Sequence, residues 1–183
     1  MILSIGLIEH SSIARGIEAT DAMLKAADVI LDFAKPVCPG KFIELVHGEV
    51  EAVKASMDAG LKAGGSSVVN HLMISQVHPT LIPAINAVLD PPEQVAALGV
   101  VEYFDIASAV VGADAAAKTA HITLMEVRLG MGIGGKSFFK LSGDVADVHS
   151  AVAAAVDIAR EHTTIVSTCV IPAPDPALFR EML

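Results

Sequence analysis

The chain has 183 residues, of which 53% are hydrophobic and 18% charged, against roughly 45–50% and about 25% in ordinary soluble domains. Its net charge of -9 repels phosphate backbones and excludes nucleic acid as a partner, and its two cysteines are too few for a disulfide framework. The N-terminus lacks the basic flank of a signal peptide, and polar residues interrupt the uncharged run within 62–90. We therefore expect a cytoplasmic chain with no membrane span, some of whose apolar surface meets other subunits.

The first half of the chain contains two helical and four strand-like patterns. Strands are indicated by alternating or continuous apolar runs of strand length, and helices by apolar residues that recur at helical spacing. The predicted elements are a strand at 3–7, a helix at 13–27, strands at 29–34 and 42–47, a helix through 50–57 and a strand at 68–77. This β-α-β-β-α-β order is the ferredoxin-like arrangement, in which the second and third strands form a hairpin.

The same series of elements occurs twice. IGLIE at 5–9 recurs as LGVVE at 98–102. At the same spacing, Asp21 aligns with Asp114 and Lys25 with Lys118. We therefore predict an α+β fold of two tandem ferredoxin-like domains. The predicted boundaries are a first domain at 1–89, a linker at 90–97 and a second domain at 98–183.

The hairpin loop differs between the two copies. In the first copy, KPVCPGKF at 35–42 places a cysteine in a tight, exposed turn of proline and glycine. In the second, GMGIGGKS at 130–137 matches the P-loop pattern G-x-x-x-x-G-K-[ST], and its opening part matches G-x-G-x-x-G. Both nucleotide motifs need a helix directly after the loop, whereas 137–141 predicts a strand. Nucleotide binding is therefore not expected.

No catalytic pattern is evident in the sequence. The seven histidines show no H-x-x-x-H or similar metal-ligand spacing, and no serine lies in a G-x-S-x-G setting. We interpret the histidines as satisfied surface or interface residues and the chain as a protein that is not an enzyme.

Three segments carry a resemblance to a known family. SIGLIEHSSIARGIEATDAMLKAADV, CPGKF and HGEVEAV resemble the bacterial microcompartment (BMC) shell domain, and the duplication resembles its tandem-domain members. CPGKF together with GIGGK in the second copy is similar to the propanediol-utilisation T type. The resemblance implies a homotrimer whose chains form a pseudohexameric tile of a microcompartment shell, with other BMC shell proteins at its edges.

The resemblance also places the hairpin loops around the central axis of the trimer, where they line a pore. The implied pore-loop residues are Val37, Pro39, Gly40, Gly132, Ile133 and Gly134. In this type, Cys38 from each of three chains would bind a single [4Fe-4S] cluster per trimer, which would pass electrons across the shell to or from a redox enzyme in the lumen.

The chemistry of the loop agrees with this implication without being able to establish it. Thiolates suit iron–sulfur clusters, and Lys35 and Lys41 would favour the thiolate form of Cys38. The alternative is an open pore that conducts a small metabolite, with Cys38 only a small residue of its wall. Cys169 lies in a strand-like segment and is predicted to be a buried hydrophobic residue.

Lys25 and Lys118 stand at equivalent positions of the two copies. One interpretation is a solvated helix face, on which each lysine pairs with the aspartate one helical turn before it, Asp21 or Asp114. The resemblance instead puts both lysines at the tile edge, facing a neighbouring tile, and their recurrence favours this assignment.

Overall fold

The computed structural model describes residues 4–88, 95–159 and 165–181, which form two compact units. The first unit comprises residues 1–77 and 132–134, and the second comprises 78–131 and 135–183. The segment 78–88 therefore belongs to the second unit, because its short helix packs on elements of that unit, whereas the sequence suggested a first domain that extends to residue 89. Most of the predicted linker, 90–94, lies outside the described residues.

The first unit has the predicted ferredoxin-like topology. Its four strands form one antiparallel sheet in the order β2-β3-β1-β4, and its two helices pack against each other and against the sheet. Its elements are β1 (Ser4–His10), α1 (Ile13–Ala26), β2 (Ile30–Val37), β3 (Lys41–Gly48), α2 (Val50–Gly64) and β4 (Val68–Ile74). The predicted last strand at 68–77 is thus shorter, because the chain turns at Gln76, which has a positive φ.

The second unit repeats this topology, with strand order β6-β7-β5-β8, and adds a short helix at each end. Its elements are α3 (Leu81–Ile85), β5 (Ala97–Tyr103), α4 (Ile106–Thr119), β6 (Ile122–Leu129), β7 (Ser137–Gly143), α5 (Val145–Ala159), β8 (Ile165–Pro172) and α6 (Pro176–Glu181). The prediction of two tandem ferredoxin-like domains is confirmed. Within the described residues, no helix is both long and apolar enough to cross a membrane.

Glycine in the central strands lets a helix approach each sheet closely. β1 is buried along its whole length, and a Cβ atom at Gly6 would lie only 2.5 Å from the Met57 sulfur of α2. In the second unit a Cβ atom at Gly99 would lie 2.9 Å from a methyl group of Val148 on α5. The repeated glycine thus fixes the same close helix–sheet packing in both units.

Candidate functional site

Cys38 lies at the apex of the β2–β3 hairpin. The Cys38–Pro39 peptide is cis, and the Gly40 N–H donates to the Val37 carbonyl over 3.0 Å, which closes a tight turn. Gly40 has a φ of 83°, where glycine is favoured, and no atom lies within 4 Å of where its Cβ would be. Cys38 is a free, partly exposed thiol, while Val37 beside it is buried. The turn therefore leaves the thiol accessible and the space beside it open.

The lysines that flank this turn have different surroundings. Lys41 Nζ lies 2.6 Å from Oε1 of the buried Glu9. Lys35 Nζ lies 4.5 Å from the centre of the Phe33 ring, and partial burial lowers the Lys35 pKa. Glu9 therefore neutralises Lys41, whereas Lys35 contacts an aromatic ring.

The loop of the second repeat connects β6 to β7 and is rich in glycine. The Gly130 N–H donates to the Lys136 carbonyl over 3.1 Å, and Lys136 pairs with Glu102 as Lys41 pairs with Glu9. Gly132 and Gly134 are exposed and have positive φ, and Ile133 between them is half-buried. β7 begins at Ser137, so a strand rather than a helix directly follows the P-loop-like motif, as predicted.

A single chain supplies few metal ligands. Among the residues described, no three His, Cys, Asp or Glu side chains come together in a way that would hold a metal ion. Cys169, predicted to be buried, is exposed, because β8 is an edge strand and its residues are covered on fewer sides. Any thiolate cluster at Cys38 therefore needs other copies of the chain.

Lys25 and Lys118 each form the predicted ion pair one helical turn back. Lys25 Nζ lies 2.5 Å from Asp21 Oδ2, and Lys118 Nζ lies 2.5 Å from Asp114 Oδ2. Both lysines are exposed in the last turn of their helix, where a cation interacts favourably with the helix dipole. A lysine that forms such an ion pair can also lie exposed at a tile edge. The ion pairs therefore do not decide between the two interpretations, and the edge assignment stays a prediction.

The sequence did not reveal a buried polar pair in the first unit. His10 Nε2 lies 2.7 Å from Glu44 Oε1, and both side chains are completely buried, whereas the sequence predicts surface or interface histidines. His10 Nδ1 lies 3.1 Å from Ser67 Oγ, which itself donates to the Gly64 carbonyl, so the Nδ1–H donates to Ser67. Burial raises the Glu44 pKa to about 8 and lowers the His10 pKa, which favours a neutral acid that donates to a neutral imidazole.

One signal for this pair was present in the repeat. The residues that occupy the same sheet positions in the second unit are Tyr103 and Phe139, which are fully buried. Histidine and glutamate at positions that are aromatic in the other copy indicate a buried polar pair.

Comparison with known proteins identifies both units. The BMC domain matches residues 4–77 and 97–174. A bacterial microcompartment shell protein PduT of Citrobacter freundii is 39% identical over the whole of this chain and 99% of its own length. The crystal structure of a microcompartment protein from Desulfitobacterium hafniense DCB is 53% identical with a TM-score of 0.92, covering 98% of this chain and 99% of that one.

More distant relatives agree with this result. A fused permuted hexameric shell protein from the RMM microcompartment has a TM-score of 0.63 and 28% identity, over 85% of this chain and 80% of that one. The carboxysome shell protein CcmK2 of Synechococcus elongatus is 35% identical over 44% of this chain and 83% of its own. The chain therefore belongs to the bacterial microcompartment shell protein family and carries two BMC domains in tandem.

Proposed function

We propose that three copies of this chain form a homotrimeric, non-enzymatic tile of a microcompartment shell in the cytoplasm. Two BMC domains per chain give a trimer the six domains of a pseudohexamer, with other BMC shell proteins at its edges. The full-length similarity to PduT supports a shell role, and the solved relative that is fused and permuted is described as hexameric.

The Cys38 turn carries the more specific proposal, that one [4Fe-4S] cluster binds per trimer. Threefold symmetry brings three copies of an axial residue together, and three thiolates would bind three of the four irons of such a cluster, with the fourth iron not bound by a cysteine of the protein. The residues present fit the group: the thiol is free and partly exposed, and the space beside Gly40 is open. Lys35 offsets negative charge, and the nearby carboxylate of Glu9 is already paired with Lys41.

When bound, an iron–sulfur cluster supplies one-electron redox chemistry, which suits electron transfer across the shell to or from a redox enzyme in the lumen. The chain itself holds the ligand in place. The closed turn at Val37–Gly40 limits the positions that the Cys38 sulfur can take, and the Lys41–Glu9 pair anchors the base of the hairpin. Pro39 stiffens the turn further, since its ring fixes φ.

The second hairpin contributes to the pore in this proposal. Gly132 and Gly134 expose backbone rather than side chains, and Ile133 adds one apolar side chain between them. Small, uncharged loops of this kind would also suit an open pore for a small metabolite. The open pore is therefore the second candidate function, and the cluster assay separates the two.

Cys38→Ser is the variant that tests the cluster. The hydroxyl keeps the size of the side chain but binds iron poorly, so iron and sulfide should fall to background while the trimer persists. Cys169→Ser is the matched control: Cys169 is exposed, so the variant should bind iron as the parent does. Iron and acid-labile sulfide are measured on protein reconstituted and kept without oxygen. If the parent binds none, or if Cys38→Ser binds as much as the parent, the open pore replaces the cluster.

Mixed trimers test whether the ligands are shared. If three Cys38 thiolates hold one cluster, trimers assembled from parent and Cys38→Ser chains should lose iron more steeply than in proportion to the mutant fraction. A strictly proportional loss would mean that each chain binds iron by itself. Light scattering on the same samples shows whether the trimer has survived.

A further inference from the structure

Helices α1 and α4 are equivalent elements of the two repeats, but they differ in burial. Each has 14 residues, of which four are buried in α1 and ten in α4. Helical spacing places one stripe of residues on the same side of α1, and these residues are exposed: Ile13, Ile17, Asp21 and Leu24. The aligned residues of α4 are all buried: Ile106, Val110, Asp114 and Ala117.

In the second unit, α3 covers part of this surface. It packs against α4 and β6, and its Leu81 is fully buried. The His78 N–H donates to Asp114 Oδ1 over 2.7 Å, and the Asp114 side chain is only 7% exposed. The aligned Asp21 side chain is 61% exposed, because within residues 4–77 no element takes the corresponding place on α1 and β2. Ile30 on β2 is 61% exposed as well.

The chain turns in the same way after both of its last strands. Ile74 of β4 pairs with β1 at the register position where Ile171 of β8 pairs with β5. The same number of residues beyond, Gln76 and Ala173 have φ values of 58° and 47°, which are uncommon outside glycine. The segment that follows β8 is therefore the structural counterpart of the segment that carries α3.

A short helix follows each turn, but only one of the two is covered. Leu81 of α3 and Leu178 of α6 lie at the same distance along the chain from their turns. Leu81 is fully buried, whereas Leu178 is 43% exposed. Phe179 is buried and anchors α6, so the helix presents Leu178 to solvent. The outer side of α6 and the α1 stripe are thus exposed, whereas their counterparts, α3 and the stripe of α4, are covered.

From this complementarity we infer that α6 of one chain packs on the α1 stripe of a second copy, as α3 packs on α4. The inference rests on the proposed trimer and names one of its contacts. The backbone N–H of Asp175, the counterpart of His78, would donate to the Asp21 carboxylate, and Leu178 would cover Leu24. The Asp175 carboxylate already accepts from the Ala177 N–H over 2.7 Å, so it is engaged on its own helix.

Photo-crosslinking from position 178 tests the contact directly. An untagged full chain with p-benzoylphenylalanine in place of Leu178 is co-expressed with an affinity-tagged parent chain and irradiated, and mass spectrometry locates the attachment. We expect untagged chains linked to tagged chains within residues 13–30. If a trimer links only elsewhere, or only within one chain, the inference fails and the proposed trimer stands. A monomer by light scattering would overturn both.

A charged residue at position 178 tests how much the contact contributes to the stability of the trimer. Leu178→Asp places a charge against an apolar surface, so dissociation into monomers should begin at a roughly tenfold to hundredfold higher protein concentration. Ile158→Asp is the control, since Ile158 is an exposed apolar residue on α5, a helix that takes no part in the inferred contact. Equal dissociation of the Leu178→Asp variant and the parent would contradict the contact. Circular dichroism confirms that both variants remain folded.

Discussion

Glu44→Gln tests how the buried His10–Glu44 pair sets the pH dependence of stability. Burial of its carboxyl group raises the Glu44 pKa in the folded chain to about 8, from its ordinary value of 4.5. A raised acid pKa means that the folded state retains a proton that the unfolded state has lost. Its stabilising contribution is therefore complete below the unfolded pKa and is lost as the pH rises through about 8.

The His10 pKa is lowered, chiefly by burial, so His10 acts in the opposite direction. Below the ordinary histidine pKa of 6.5, the unfolded histidine takes up a proton that the folded one does not, which lowers stability as the pH falls. Just below pH 6.5 the two contributions therefore oppose each other. Above pH 6.5 only Glu44 remains, at about 1.4 kcal/mol per pH unit, so roughly 2 kcal/mol should be lost by pH 8.

The assay is urea unfolding at fixed protein concentration between pH 6.5 and 8. Glutamine keeps the shape of Glu44 and can donate to His10 Nε2, but it does not titrate, so the variant should lose the decline that the parent shows. Glu18→Gln is the control, because Glu18 is exposed on α1 and its variant should keep the slope of the parent. A Glu44→Gln variant with the parent's slope, or a parent whose stability rises over this window, would refute the reasoning.

Three further variants test other features of the chain. Gly6→Ala should lower the free energy of unfolding by about 1–3 kcal/mol, because its Cβ would overlap the Met57 sulfur; thermal unfolding measures the loss. Tyr103→Phe should cost about 1 kcal/mol in urea unfolding, since it removes the buried hydrogen bond to the Ala155 carbonyl. Lys25→Ala combined with Lys118→Ala should leave trimers intact but reduce sheet formation in electron micrographs. Sheets that form as readily as those of the parent would contradict the tile-edge assignment.

The repeat made most of the fold predictable. Residues 42–47 were predicted as a strand and form β3 at Lys41–Gly48. The apolar side chains of that stretch are buried in the core, which is what the apolar run indicated. The short helices α3 and α6 were missed, since so few residues give no readable helical period. Cys169 was misassigned because a strand pattern does not show whether its strand lies at the edge of the sheet.

The candidate site was less accessible to sequence reasoning. KPVCPGKF predicts a tight turn with an exposed thiol, and the structure confirms that turn at Cys38–Gly40. The partner of Lys41 was not predictable, because Glu9 on β1 reaches Lys41 on β3 through the pairing of those two strands, whereas Phe33 lies two residues before Lys35 on the same strand. A ligand set completed by symmetry is also invisible in one chain, where Cys38 occurs once.

The two domains of the chain have different cores, and this difference bears on how many domains of each kind an assembly contains and in what order. His10 and Glu44 in one repeat, with Tyr103 and Phe139 at the same positions of the other, make the domains two distinct parts. If such domains were separate chains, rings could form in many orders and ratios, and only some would carry a cysteine at every second position. Covalent fusion fixes equal numbers of the two domains when the chain is synthesised, and in the proposed trimer it would also fix their alternation around the ring before any assembly step.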